Sequence, residues 1–170
     1  EVAEFYEKKS AIFAEFGKIV CISVARFSMA EDKSLSLKVK SFASHDEKQV
    51  LLDFVAMLNK RFNRDEDRIC GHNIKEFDVP YICRRSLINQ LPLPKMLDIA
   101  GKKPWETKHL LDTMEMWKFG DYKNYTSLRL LAAIFGFPSP KDDMDGSEVA
   151  GVYWEERDLD RIAAYCEKDV

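Results

Sequence analysis

The run Lys18 to Phe27 (K-I-V-C-I-S-V-A-R-F) constrains this chain more than any other stretch. It is β-branched and almost unbroken in its apolar character, the pattern of a strand buried on both faces. Asp32-Lys33 makes a polar turn, and Leu35 to Phe42 then alternates Leu, Leu, Val and Phe with Ser and Lys. A period of two marks a half-exposed strand, expected to run antiparallel to the first. Ala3 to Phe16 places apolar residues at helical intervals and stops at Gly17. His45 to Phe62 puts Val50, Leu51, Phe54, Val55 and Leu58 on one helical stripe. Strands interleaved with amphipathic helices predict an α/β domain.

Further along, Asn63 to Asp67 reads as a charged loop and Arg68 to Gly71 as a short strand. Phe77 to Asn89 is predicted helical, with Pro92 and Pro94 preventing its continuation. Residues 95–108 are loop-like and basic, and His109 to Thr113 has the character of a short buried strand. Ser127 to Phe135 is helical up to Gly136 and Pro138, and Ser139 to Gly146 is a long polar loop. Two helices finish the chain, Ser147 to Trp154 and Arg157 to Val170. Neither repeat, low-complexity tract nor linker interrupts this order, so residues 1–170 are expected to form a single domain.

With 170 residues, 46% of them hydrophobic, the chain can bury a real core. No apolar run approaches the roughly 18 residues of a membrane span, and the charged stretch Glu1 to Ser10 is not a signal peptide. Cys21, Cys70, Cys83 and Cys166 lie at irregular spacing within apolar stretches, without a C-x-x-C pair. They are expected to be reduced core thiols in a cytoplasmic protein rather than zinc ligands. A net charge of −3 argues against unspecific duplex binding, yet leaves open a nuclease whose bound cations supply positive charge locally.

Two carboxylates stand out. In the last helix Leu159, Ile162, Ala163, Cys166 and Val170 form the apolar stripe. Asp169 falls about 70° from its centre and Tyr165 about 110°, on the same flank. A carboxylate at the edge of a core stripe is costly to desolvate unless paired. A divalent cation is one such partner, with the Tyr165 hydroxyl able to hold an attendant water, and a solvated Asp beside a boundary Tyr is the other reading. Asp78 precedes Val79-Pro80, a common N-cap arrangement that explains it without any metal; a metal ligand is the other reading. Asn73, after Gly71, suits either a left-handed loop position or a binding role.

Other candidates are weaker. Asp143-Met-Asp145-Gly146 resembles the middle of a calcium loop, but Lys141 and Val152 stand at the first and twelfth positions, which excludes an EF-hand. Asp145 or Ser147 is expected to cap the next helix. His72 reads as a hydrogen-bonded structural histidine or as a residue near a cleft, and Asp112 as a strand-end site residue or a turn cap. Lys102, Lys103, Trp105, Lys108, Lys118, Tyr122, Lys123 and Tyr125 interleave cations with aromatics, as single-strand binders do and as solvated loops also do. Trp117 and Trp154 are expected in the core.

The segment Asn73-Ile-Lys-Glu-Phe77-Asp78 resembles the second motif, N-x-x-x-F-D, of the DEDD 3′–5′ exonuclease superfamily, and Tyr165-x-x-x-Asp169 resembles the third motif in its tyrosine (DEDDy) form. The chain as a whole is similar to a bacterial group of predicted exonucleases related to the proofreading domain of family-B DNA polymerases. Glu15-Phe-Gly-Lys-Ile-Val, Gly101-Lys-Lys-Pro-Trp-Glu and Lys118-Phe-Gly-Asp-Tyr-Lys carry that likeness beyond the two motifs.

The resemblance implies a ribonuclease H-like fold, a mixed β-sheet flanked by α-helices. It implies a two-metal site for Mg²⁺ or Mn²⁺ and release of nucleotides from a 3′ end, with single-stranded DNA favoured as substrate. By motif, Asp78 and Asp169 become two of four metal-holding carboxylates and Tyr165 positions the attacking water. Asn73 and Phe77 shape the pocket for the terminal nucleotide, with His72 beside them. An RNA-trimming exonuclease, or an inactive binding module of the same fold, is the alternative reading. The family's first motif, D-x-E on an opening strand, is absent from its expected context. The chain is therefore expected to be a fragment trimmed at both ends, inactive alone, with the remaining Asp and Glu upstream of residue 1.

Overall fold

A computed structural model describes residues 10–62, 64–137, 144 and 146–170. The chain divides into two compact units, Glu1–Phe54 with Pro140–Val170, and Val55–Ser139. Among the described residues the strands form two separate two-stranded sheets, and six α-helical segments accompany them. The architecture is mixed α/β with small sheets, where the sequence predicts one mixed sheet.

In the first unit, β1 (Cys21–Met29) pairs antiparallel with β2 (Leu35–Ala43), in register from Cys21 opposite Ala43 to Met29 opposite Leu35. The expected hairpin is present. The expected burial of its first strand on both faces is not: Phe27 and Met29 are 67% and 72% exposed. Only the base of the hairpin is covered, by the last helix, so the apolar residues at its tip face solvent. The predicted helix Ala3 to Phe16 lies largely outside the described residues, and Ser10–Ile12 forms a single 3₁₀ turn.

The predicted helix His45 to Phe62 is α1 (Glu47–Arg61), which buries Val50, Leu51, Phe54, Val55 and Leu58, the expected stripe. Phe54 meets Phe42 of β2 edge-on at 5.9 Å. Glu47 is almost fully buried, and its carboxylate accepts the Ile19 backbone N–H at 2.7 Å, joining the helix start to the segment that enters β1. Its place in the first helical turn also sets its negative charge at the favourable end of the dipole.

The second unit holds β3 (Ile69–Gly71), α2 (Asp78–Ile88), β4 (Leu110–Asp112), α3 (Thr113–Lys118) and α4 (Leu128–Ile134). β3 and β4 pair in parallel, with Gly71 opposite Asp112. The helix α3 has no counterpart in the sequence reading. Its start is set by Asp112, whose side chain accepts the Met114 N–H. Ser127 caps α4 in the same way, accepting the Leu130 N–H.

The chain returns to the first unit through α5 (Val149–Gly151), which widens into a π turn over Val152–Glu156, and ends in α6 (Leu159–Lys168). The predicted single helix Ser147 to Trp154 is thus short and changes pitch partway. Its N-cap is Glu148, which corrects the expectation of capping by Ser147; Asp145 and most of the predicted loop lie outside the described residues. Asp158 caps α6, accepting the Arg161 N–H at 2.9 Å. Met144, Val152, Tyr153, Ile162 and Tyr165 form the local core, with Val20, Cys21, Leu159 and Cys166 packed against it.

Three core assignments need correction. Trp117 and Trp154 are 38% and 58% exposed, each lying edge-on against a neighbouring ring, Phe135 and Tyr153. Cys70 is exposed at the short β3 strand, although all four cysteines are free thiols as expected. Hydrogen bonding from Cys166 and Ser23 draws the Cys21 thiol down to about 7, while the same pairing and burial push Cys166 up. No described helix is long and apolar enough to cross a membrane.

The Glu47 contact sets an expected outcome. Glu47→Ala strands a buried backbone donor at Ile19 and lowers unfolding stability by roughly 2–3 kcal/mol, while Glu47→Gln, which keeps an acceptor, costs less. Urea denaturation of the two variants measures the difference, and equal losses would refute this account.

Candidate active site

Gly71 ends β3, and the chain turns at once into the loop that leads to α2. A Cβ at Gly71 would lie 2.2 Å from Ile74 Cγ2, so with Ile74 in this position only glycine fits the strand end. Asn73 adopts the left-handed conformation (φ 63°) anticipated for it, which Asn tolerates better than most residues. The loop then closes as a turn, with the Phe77 N–H donating to the Asn73 carbonyl at 3.0 Å.

Asp112 holds this loop in place. It is only 3% exposed, and its carboxylate accepts three backbone N–H groups: Asn73 at 2.8 Å, Lys75 at 3.0 Å and Met114 at 3.0 Å. A buried carboxylate is tolerable only when so satisfied. Asp112 is therefore both the cap of α3 and the anchor of the loop, the second of the two roles open to it from sequence. The signal was present in the Asp112…Glu115 spacing, an acidic cap followed three residues later by Glu. Two ion pairs brace the same loop from α3, Lys75 with Glu115 at 2.6 Å and Glu76 with Lys118 at 3.9 Å.

His72 lies within this frame. Nε2 donates to the Thr126 carbonyl at 2.8 Å, and Nδ1 lies 3.0 Å from the Thr113 hydroxyl. The same hydroxyl reaches the Gly71 carbonyl at 3.2 Å, so both ring nitrogens face partners within the protein. This is the arrangement of a structural histidine, and it ties the strand end to the segment preceding α4.

Phe77 is the N-cap residue of α2 and makes no side-chain cap bond; its ring is 43% exposed and lies 5.7 Å from that of Tyr81. Asp78 is thus the first helical residue rather than the N-cap. Its carboxylate is accessible yet has protein on most sides. That loss of solvation, with the charge of Asp112 nearby, raises its pKa above the ordinary value, against a hydrogen bond to its own backbone N–H. Water still reaches the group and screens part of the cost.

In the other unit α6 carries Tyr165 and Asp169. Asp169 is exposed at the C-cap position. Tyr165, expected at the boundary, is 8% exposed and packs with Ile162, Tyr153 and Val152. The helix rests on the hairpin through a deeper face than its apolar stripe alone defines, with Glu167 accepting the Ser41 hydroxyl at 2.7 Å. The described residues contain no cluster of three or more His, Cys, Asp or Glu side chains suited to a metal.

Asp112→Ala removes the acceptor of three buried N–H groups and should lower stability by roughly 3 kcal/mol or more, measured by denaturant unfolding. Asp78 acts in the opposite sense. Its raised pKa means that the folded state holds this proton more tightly than the unfolded chain does. The stabilisation is full below the ordinary value of 3.8 and is lost as pH rises through the folded-state value. Asp78→Asn should therefore raise the Tm at pH 7, with the gain vanishing below about pH 4. Calorimetry across that range checks the sign, and a lower Tm at pH 7 would refute it.

No curated protein matches the chain. A family described as predicted 3′–5′ exonucleases related to the exonuclease domain of PolB matches residues 12–170, which include Asn73, Phe77, Asp78, Tyr165 and Asp169. The chain belongs to this family of predicted PolB-related 3′–5′ exonucleases.

Proposed function

We propose that the protein is a metal-dependent 3′–5′ exonuclease that hydrolyses phosphodiester bonds at the 3′ end of nucleic acid, with single-stranded DNA as its preferred substrate and a ribonuclease H-like fold. Membership of the exonuclease family across residues 12–170 is the observation that carries this reading, and it implies a nucleic-acid substrate. Asp78 and Asp169 are the metal-holding carboxylates in this proposal. Their oxygens are hard donors of the type that Mg²⁺ and Mn²⁺ prefer, and both groups are accessible. The ionised form that a cation needs is the form that solvation loss disfavours at Asp78, so a bound cation would relieve that cost. Such ions stabilise charge on the entering and departing oxygens of the displacement.

The protein's own side chains supply the rest. Tyr165 orients the attacking water through its hydroxyl. Asn73 and Phe77 shape the pocket for the terminal nucleotide, Phe77 through its exposed ring face and Asn73 through its amide. His72 keeps their loop in register through its two hydrogen bonds.

Digestion of 5′-labelled oligonucleotides by the natural protein tests the proposal. Stepwise shortening from the 3′ end is expected with Mg²⁺ or Mn²⁺ and should stop on chelation. Asp78→Asn or Asp169→Asn should lower the rate by roughly 100-fold or more. Matched RNA and DNA oligonucleotides separate the RNA-trimming alternative. Binding of oligonucleotides without any cleavage would favour the inactive-module reading.

A further inference from the structure

The segment between α3 and α4 carries three aromatic side chains into solvent. Phe119, Tyr122 and Tyr125 are 91%, 87% and 69% exposed. Rings of this size normally bury much of their surface, and three within seven residues is not the isolated exposure of an ordinary surface. Tyr125 and Trp117 also line a cleft of about 210 Å³, together with Lys118, Asp121, Asn124 and Thr126.

The segment is held in shape from within the same unit. Asp121 accepts the Lys123 N–H at 3.1 Å and the Asn124 side-chain amide, and its own N–H donates to the Lys118 carbonyl at 2.8 Å. The Thr126 carbonyl is fixed by His72. The exposed rings therefore stand on a braced turn, and a ligand laid on them would meet a preorganised surface.

Charge selects the ligand class. Across residues 117–129 Lys118, Lys123 and Arg129 face one acid, Asp121, whose carboxylate is occupied by the turn. With Lys118 paired to Glu76 and Asp121 occupied by the turn, Lys123 and Arg129 are the exposed cations of this stretch, in a chain whose net charge is −3. Lys123 is exposed beside both tyrosines in sequence. Cations interleaved with open aromatic faces suit a polyanion that carries flat, stackable groups.

We propose that Trp117–Thr126 is a stacking platform for single-stranded nucleic acid, with nucleobases lying on Phe119, Tyr122 and Tyr125 and phosphate charge met by Lys123. The inference rests on the nuclease reading and names the part of the chain that holds substrate away from the cleaved bond. The hydrogen bond from His72 links this platform to the loop bearing Asn73 and Phe77.

Fluorescence anisotropy with the 170-residue chain tests it, using a labelled oligo(dT) and an abasic oligomer of equal length and charge. The wild type should prefer the oligo(dT) by about tenfold or more, since each stacked base contributes on that scale. Tyr122→Ala/Tyr125→Ala should lose that preference with its Tm unchanged, because both rings are exposed. Lys123→Ala should weaken both ligands alike and reduce the salt dependence. The platform is overturned if the double variant binds oligo(dT) as tightly as the wild type, or if the wild type does not distinguish the abasic oligomer. In either case, continued 3′ digestion by the natural protein leaves the nuclease reading standing. A protein that neither binds nor digests nucleic acid removes both.

Discussion

The carboxylate of Asp112 is the contact on which the second unit depends. One buried side chain gathers backbone donors from two places far apart in sequence, the loop after β3 and the start of α3. Because β3 and β4 are parallel and in register at Gly71 and Asp112, both strands end at the same edge, and the segments leaving them meet there. Ligand sites in α/β proteins are commonly built beyond the carboxyl ends of parallel strands, from the adjoining turns. Here those turns supply Asn73, Phe77 and Asp78 on one side and the acidic and basic braces of α3 on the other.

Much of this was legible in the residues. The hairpin, the long first helix, the short strand before the glycine and the helix after Asp78 all derive from periodicity and turn chemistry, and their ends move by only a few residues. The left-handed Asn73 was readable because few residues accept that conformation. The three-residue strand at 110–112 was readable from its apolar run. What failed did so for identifiable reasons. A helix as short as α3 has too little periodicity to announce itself, and it exists because Asp112 caps it. A π turn has no sequence signature of its own, so Ser147 to Trp154 reads as a uniform helix.

Burial was the less reliable inference. A continuous apolar run reads as a strand covered on both sides, yet a two-stranded ribbon has too little neighbouring structure to cover its tip. Size alone points Trp117 and Trp154 to the core, while each instead rests on a single partner ring. Tyr165 departs in the other direction. Helical geometry puts it on a flank, but α6 lies against the hairpin and the Val152–Tyr153 turn, and the cluster closes over it. Around the loop that bears Asn73 and Phe77, Asp112 was readable as a cap, whereas the bracing by Thr113 and by the Thr126 carbonyl emerges from three-dimensional pairing.

The tight fit of Ile74 against Gly71 has an evolutionary corollary. A larger residue at that position requires Ile74 to move or to be replaced, so the two positions are expected to change together. The turn between α3 and α4 is tied to the loop through the Thr126 carbonyl, an atom that every amino acid possesses. Outward-facing side chains on that turn, Phe119, Tyr122 and Tyr125, can be exchanged while Asp121 keeps its shape. Diversification within such a lineage would accordingly be concentrated in a handful of outward-facing positions, over a foundation that scarcely changes.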